Sequence, residues 1–424
     1  MNAIFTIVAK NYIGLAQVLE QSVRAHSKAD FFIFVADDFA ADNQPEIPIP
    51  SNVVISKKVL AIKEDLWNEM AFKYNLVEFC TAIKPSCFSY LFQEKKYDKV
   101  IFVDPDVYFF NNPDLLFAEM GDHSIMLTPH ILELQKEFKG DYPDYLFLVN
   151  GTFNLGFLAL SNTSSSSSFL DWWHNRLQQF CFFDFEKGMA TDQEWINMLP
   201  SFFSGKELLI SFNKGLNVAP WNYHERKVLK ENNQLVVVKR DDHTDPVPLI
   251  FVHFSGYNYN SFRQKNIDHK NESSTKFEDY NIVFDTYANA LIKSSFASFH
   301  TFSYTYTFFN NGTNIISLNR RMYRVLLQEG KGFANPFEVG KDTYFELLKQ
   351  RKLLDYAKVV ADKLTNKNIP GFDKKIRYVN LFFLMVKNII GIKKYSIMIR
   401  FFKRYFSEEN QAFLLDKNAG KKFQ

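Results

Sequence analysis

The chain opens on an apolar run, Ala3-Ile4-Phe5-Thr6-Ile7-Val8-Ala9, followed by Leu15, Val18, Leu19 and Val23 at helical spacing and a second apolar run from Phe31 to Ala36. That order predicts β–α–β. Val100-Ile101-Phe102-Val103 has the same continuous character. Strands that are apolar throughout, rather than at alternate positions, belong to a parallel sheet covered on both faces, so the first half is expected to be a doubly wound α/β layer. Two of these runs end in acidic residues, Asp37-Asp38 and Asp104-Pro105-Asp106. Ligands of open α/β sheets gather beyond the carboxyl ends of the strands, so position alone marks these residues.

Between the strands, Pro45 to Pro50 reads as a loop and Lys73 to Phe92 as a helix-rich segment interrupted near Pro85. Ser164 to Ser168 follows the apolar strand Phe157 to Leu160 and reads as a surface turn. Beyond about residue 285 the pattern changes. Thr301 to Phe309 alternates aromatic and polar residues, Asn310-Asn311-Gly312 predicts a hairpin turn, and helical patterns then run to the end. A single core rarely grows past about 250–300 residues. The 424 residues are therefore divided into an α/β domain over 1–285 and a mainly helical region over 286–424 with a short hairpin near its start.

Composition narrows the partners. With 50 basic and 47 acidic side chains there is no global field of the kind that binds nucleic acid. The 46 phenylalanines are assigned to the core. Cys80, Cys87 and Cys181 are odd in number and lack metal-binding spacing, so reduced thiols of a cytoplasmic protein are expected. The first residues lack the basic and small-residue flanks of a secretory signal, and no apolar stretch approaches the roughly 20 residues that span a bilayer.

Candidate chemistry centres on Asp104 and Asp106. Two carboxylates at i and i+2 just past a strand, bent by Pro105, can converge on one hard divalent ion. Such an ion neutralises a departing diphosphate as a Lewis acid. A bare Asp-x-Asp pattern is also what a capped turn looks like, here before a helix starting near Pro113.

Context separates these two readings. The segment Tyr97 to Tyr108, with Asp104-Pro105-Asp106 at its centre, resembles the metal-site strand of GT-A fold glycosyltransferases, family eight and bacterial relatives with a DPD motif in particular. The resemblance continues in order through Thr81-Ala82-Ile83-Lys84-Pro85, Asn154-Leu155-Gly156-Phe157, Thr191-Asp192-Gln193-Glu194-Trp195, Asn217 to Asn222 and His253-Phe254-Ser255-Gly256. It covers roughly residues 1–260. It implies a GT-A fold (Rossmann-like, mostly parallel sheet flanked by helices) and transfer of a sugar from a nucleotide diphosphate, a UDP-sugar by resemblance, with retention.

Residue by residue, the resemblance implies that His253 joins Asp104 and Asp106 on the metal. An imidazole beside two carboxylates moves preference from Mg2+ towards Mn2+. Asp192 and Gln193 match the pair near the anomeric carbon, which makes Asp192 the leading catalytic candidate, although a helix N-cap would also place an aspartate there. Lys10, Asn11 and Tyr12 match the region that receives the base, where Asp37 or Asp38 could accept a proton from a pyrimidine ring nitrogen, although Asn11 could equally cap a helix. Asn154 and Gly156 match the sugar pocket, and Gly256 a phosphate approach free of side chain. Lys84 stands where family eight usually carries an arginine, keeping the point charge without the fork. The family's lysine-proline-tryptophan after the histidine motif is missing, and neither Arg263 nor Lys265 is assigned to its place.

Two other classes compete. A sugar nucleotidyltransferase needs a glycine-rich basic loop after the first strand, where this chain has Ala9-Lys10-Asn11-Tyr12-Ile13-Gly14. A non-catalytic carbohydrate-binding protein has no need of Asp104, Asp106, Asp192 and His253 together. The expected partners are a nucleotide sugar and a glycan or lipid-linked glycan acceptor. From residue 371 onward twelve Lys or Arg stand against four Asp or Glu. A helix over Lys393 to Phe406 would set Lys393, Arg400, Lys403 and Arg404 opposite Ile397, Met398, Phe401 and Tyr405, a pattern that suits either an amphipathic helix packed on the catalytic domain or peripheral contact with anionic lipid at the inner face of the membrane.

Overall fold

The computed structural model describes residues 1–39, 48–241, 243–257, 259, 276–356, 371–417 and 419. Its contacts divide the chain into two compact units. The first comprises Met1–Ile62 and Leu76–Thr305, the second Lys63–Asn75 and Tyr306–Gln424. The dividing point at Thr305 differs from the expected boundary near 285, which falls within the helix Asn281–Lys293. That helix buries Val283, Phe284, Tyr287, Ala288 and Leu291 in a core cluster of the first unit, so its apolar stripe keeps it there.

In the first unit the strands are β1 (Asn2–Val8), β2 (Asp30–Val35), β3 (Val53–Ile55), β4 (Lys99–Val103), β5 (Val107–Phe109), β6 (Ile125–Leu127) and β7 (Phe157–Ser161). Then come β8 (Phe183–Asp184), β9 (Met189–Ala190), β10 (Leu208–Ile210), β11 (Arg226–Glu231), β12 (Gln234–Lys239), β13 (Val247–Pro248) and β14 (Phe251–His253). Seven of them form one sheet in the order β10-β6-β7-β4-β1-β2-β3. β1 pairs in parallel with β2 and β4, and β2 with β3. β7 alone runs antiparallel to its neighbours β4 and β6. The expected architecture, a mostly parallel sheet flanked by helices, is therefore the observed one.

This topology fixes where chemistry can be placed. The residues just after β1, β2 and β4, and those just before the reversed β7, all emerge at one end of the sheet: Lys10, Asp37, Asp104 and Asn154. The continuous apolar runs explain themselves, because β1 from Ala3 to Val8 and β4 from Val100 to Val103 are buried on both faces. The serine tract departs from expectation. Ser164–Phe180 is a helix, capped where the Thr163 side chain accepts the Ser166 amide, and it buries Phe169, Leu170, Trp173 and Leu177. Cap chemistry and that apolar spacing outweigh the low helix propensity of serine.

The second unit is held by polar bonds to backbone as much as by rings. The guanidinium of Arg320 donates to the carbonyls of Ala71, Phe72, Tyr74 and Tyr306, so it closes the open C-terminal end of the helix Glu64–Lys73. The expected hairpin at Asn310-Asn311-Gly312 is reduced to a turn, with a single bridge between Phe308 and Asn314. Gly312 has φ +80°, which the turn requires. Gly14, in the first unit, packs against backbone: a Cβ there would lie 2.4 Å from Phe296 Cα. Gly14→Ala would gain about 1 kcal/mol of helix propensity, but overpacking of this kind costs roughly 1–3 kcal/mol. The substitution is expected to lower the urea midpoint, and an unchanged or raised midpoint would contradict this packing.

Candidate active site

Asp104 follows β4 directly, and its amide donates to Gly156 O across the β4–β7 edge. A turn closed by the Val107 amide on Asp104 O then presents Asp106. β5 pairs antiparallel with β14, which sets His253 opposite Val107, and the Phe254 amide donates to Asp106 O. The ladder therefore brings His253 beside the two aspartates from a distant part of the chain. His253 Nε2 lies 3.1 Å from Asp106 Oδ1 and 3.7 Å from Asp104 Oδ2. One ligand atom from each residue falls within 4.8 Å of the others, so the three side chains could hold a cation.

The ring of His253 is held on its other side. Its Nδ1 lies 3.2 Å from Asn154 Oδ1, which also accepts from the Gly156 amide and from Asn217 Nδ2. Asn154 Nδ2 in turn faces His130 Nε2 at 3.3 Å, while His130 Nδ1 faces Thr152 O at 3.2 Å. The chain is consistent in only one sense: His130 donates to Thr152, Asn154 donates to His130, and His253 donates to Asn154. In the neutral ring Nε2 is then the lone-pair nitrogen directed at the carboxylates, the arrangement in which a carbonyl orients a metal-binding imidazole; in the charged ring it donates to Asp106. Gly156 makes room for it, since a Cβ there would sit 2.3 Å from His253 Cε1.

A cavity of about 350 Å³ opens against this cluster and includes Lys84, Asp104, Asn154, Gly156, Asp192 and Gly256 in its lining. Asp192 is buried, and its Oδ2 accepts from Lys84 Nζ at 2.6 Å while Oδ1 accepts from the Thr191 hydroxyl. Its side chain makes no cap to the helix Gln193–Ile196, so capping does not account for it. Lys84, 1% exposed, also donates to Leu155 O and stands over the Phe102 ring at 4.1 Å. Gln193 is spent on the backbone: Oε1 accepts the Leu155 amide and Nε2 donates to Asn150 O. Thr191 adopts φ +53°, a strained conformation for a β-branched residue.

No family model matches the chain. It is 29% identical over 258 residues to the uncharacterized protein YfnD of Bacillus subtilis (strain 168), spanning 59% of this chain and 76% of YfnD. It is 24% identical over 200 residues to the uncharacterized protein YfnF of the same strain, spanning 47% of this chain. That alignment takes in 63% of YfnF, less than two thirds of its length. Among solved structures it is similar to the galactosyltransferase LgtC in complex with donor and acceptor sugar analogues, at 16% identity and a TM-score of 0.40, over 68% of this chain and 96% of that one.

The residues expected at the base form a separate group at the same end of the sheet. Lys10 Nζ donates to Asp38 O and Thr305 Oγ1 and stands 4.0 Å from Asp37 Oδ1. Burial raises the pKa of Asp37, and the charge of Lys10 and hydrogen bonds from Thr305 and Asp38 oppose the rise. Asn11 has a buried Oδ1 with no hydrogen-bond partner among the described residues, and the Tyr12 ring lies edge-on to Tyr259 and His300. Gly256 has φ +76° and open space where a Cβ would stand. Arg263 and Lys265 lie outside the described residues. His130 is the site residue the motif reading passed over. It follows β6, which runs the same way as β4, so the strand-end rule that marks Asp104 marks it too.

Burial pushes the pKa of His130 down to about 4, against hydrogen bonds to the backbone at Thr152 and Gly151 that favour the charged form. Between that value and an unfolded value of about 6.5, the unfolded chain takes up a proton that the native chain refuses. The contribution of His130 to stability is therefore complete above pH 6.5 and lost as pH falls towards 4. The thermal midpoint of the native protein should drop over that window, and His130→Gln should make the drop shallower. Superimposable pH profiles for the two proteins would remove His130 from this role.

Proposed function

We propose that this chain is a metal-dependent glycosyltransferase that moves a sugar from a nucleotide diphosphate, a UDP-sugar, to a glycan or lipid-linked glycan acceptor. The observation that carries the reading is the convergence of Asp104, Asp106 and His253 at the edge of a cavity that also contains the Lys84–Asp192 pair. Capping or core packing would give no reason for His253 Nε2 to face two carboxylates while Asn154 occupies its other nitrogen. The donor set, two carboxylate oxygens and one imidazole nitrogen, fits Mn2+ well and Mg2+ less closely. A divalent ion bound there supplies positive charge to a departing diphosphate.

The chain's own groups divide the remaining work. Gly256, without a side chain and at positive φ, leaves space for phosphate oxygens. Asp192 is paired with Lys84 in a buried place and is the carboxylate we assign beside the anomeric carbon. Trp221 lines the cavity with a buried indole N–H that has no hydrogen-bond partner among the described residues, a donor that a sugar hydroxyl would satisfy. Retention at the anomeric carbon is carried by the resemblance of the Asp192-Gln193 segment to family eight.

The test is release of nucleotide from a panel of nucleotide sugars by the purified full chain with Mn2+. Release is expected to stop in excess EDTA and return with Mn2+. Asp106→Ala should remove most of it without lowering the thermal midpoint, because Asp106 is partly exposed at the cavity edge. Full transfer in excess EDTA would overturn the metal assignment, and release of pyrophosphate would identify nucleotidyl transfer instead.

Asp192→Asn should lower turnover by roughly 10²-fold or more, as for a contact made in the transition state. Because it leaves Lys84 buried beside a neutral partner, it should also cost stability, roughly 3–5 kcal/mol if the amide does not compensate. Turnover is therefore to be compared below the variant's own unfolding transition. Near-normal turnover there would take Asp192 out of the site.

A further inference from the structure

The C-terminal helix Phe372–Tyr405 is broken at Gly391, whose φ of +76° and ψ of 161° are not helical. It is two helices, 372–390 and 392–405, folded back on each other. Phe383 and Lys387 of the first helix and Tyr395 of the second line one small cavity between them and are half-buried. The rings of Phe383 and Tyr395 meet at 6.4 Å.

The other side of the first helix carries Tyr378, Leu381, Phe382, Met385 and Ile389, which are 63%, 55%, 55%, 54% and 74% exposed. Their spacing of i, i+3, i+4, i+7 and i+11 makes one continuous stripe, about 16 Å long at 1.5 Å per residue. Chains that stay monomeric in water seldom leave such an apolar face uncovered. Charge decides what covers it. Over 372–405 there are nine Lys or Arg and one Asp, and Lys393, Lys394, Arg400 and Lys403 stand exposed on the second helix beside Ile397 and Phe401. A second copy of the same hairpin would bring these positive charges together. An anionic lipid surface would neutralise them and receive the stripe.

We propose that the hairpin 372–405 docks on an anionic lipid bilayer, with Tyr378, Leu381, Phe382, Met385 and Ile389 entering the boundary between headgroups and acyl chains. Among the described residues no helix is long and apolar enough to cross a membrane, so the hairpin lies in the interface plane. The embedded face is wider than the one expected within Lys393 to Phe406: Ile397 and Phe401 stand exposed there, Met398 is half-buried, Tyr405 lies against the rings of Phe401 and Phe413, and residues 378–389 add the continuous stripe. The inference stands independently of the sugar-transfer reading.

Flotation of the full chain with vesicles tests it. The protein should float with phosphatidylcholine vesicles containing phosphatidylglycerol at low salt, remain behind with phosphatidylcholine alone, and lose the bound fraction as salt rises. The combined variant Leu381→Glu, Phe382→Glu and Ile389→Glu, with unchanged far-ultraviolet circular dichroism, should need at least about tenfold more anionic lipid. Lys393→Glu with Lys394→Glu, both exposed, should weaken flotation similarly and serves if the first variant loses helicity. Failure to float with anionic vesicles at low salt would overturn the proposal. So would a stable dimer in light scattering that the stripe variant converts to monomer, since the face would then be an interface between copies.

Discussion

The candidate site depends on one short ladder, the antiparallel pairing of β5 with β14. Register in a β ribbon is a discrete choice, and a slip of one residue turns every side chain to the opposite face. With His253 paired to Val107, the imidazole points at the carboxylates and its neighbours Val252 and Phe254 are buried in the core. The apolar residues on both sides of His253 therefore hold the register that aims it. Gly156 is the second condition, because any side chain there would occupy the space of the ring. Asn154 is the third, since it offers the one carbonyl oxygen that Nδ1 reaches.

Electrostatics explains why these constraints hold a cluster of like charges. Asp104 and Asp106 present oxygens within 4.8 Å of one another, and at an effective dielectric of about 20 such a pair repels by roughly 3–4 kcal/mol. Burial opposes a charge on His253, yet the Asp106 and Asp104 carboxylates raise its pKa overall. Burial likewise raises the pKa of Asp104, although Lys84 and His253 pull it down. Each group is thus displaced in the direction that brings positive charge, or a proton, between the two carboxylates. A divalent cation bound by Asp104, Asp106 and His253 would relieve the same repulsion, with His253 as a neutral ligand.

How much of this was legible in the sequence follows from the range of the interactions. Burial on both faces writes itself as continuous apolar runs, so β1, β2, β4 and β7 could be placed from the residues themselves, within a residue or two at each end. Asp104 and Asp106 were legible as strand-end carboxylates, whereas the place of His253 beside them rested on family resemblance, because nothing local encodes a ladder to β5. Asn154 and Gly156 line the cavity as expected of a sugar pocket, and the residues alone did not announce their second task of holding His253. The insertion of Lys63–Asn75 into the second unit leaves no mark in composition, since its helix is held by carbonyl bonds to Arg320 far along the chain.

The surroundings of Lys84 decide what its charge does. A phosphate-binding fork needs its donors directed outward, towards solvent and ligand. Lys84 reaches Asp192 at 2.6 Å and Leu155 O at 3.1 Å and packs over the Phe102 ring, so two of its three N–H donors are consumed inside the protein. Its charge balances Asp192 locally and lowers the pKa of Asp104 from nearby. An internal counter-charge of this kind fixes the orientation of the catalytic candidate and leaves little free charge for a diphosphate. In the proposed reaction the neutralisation of the leaving group would then fall chiefly on a cation at Asp104, Asp106 and His253, because the charge of Lys84 is already engaged by Asp192.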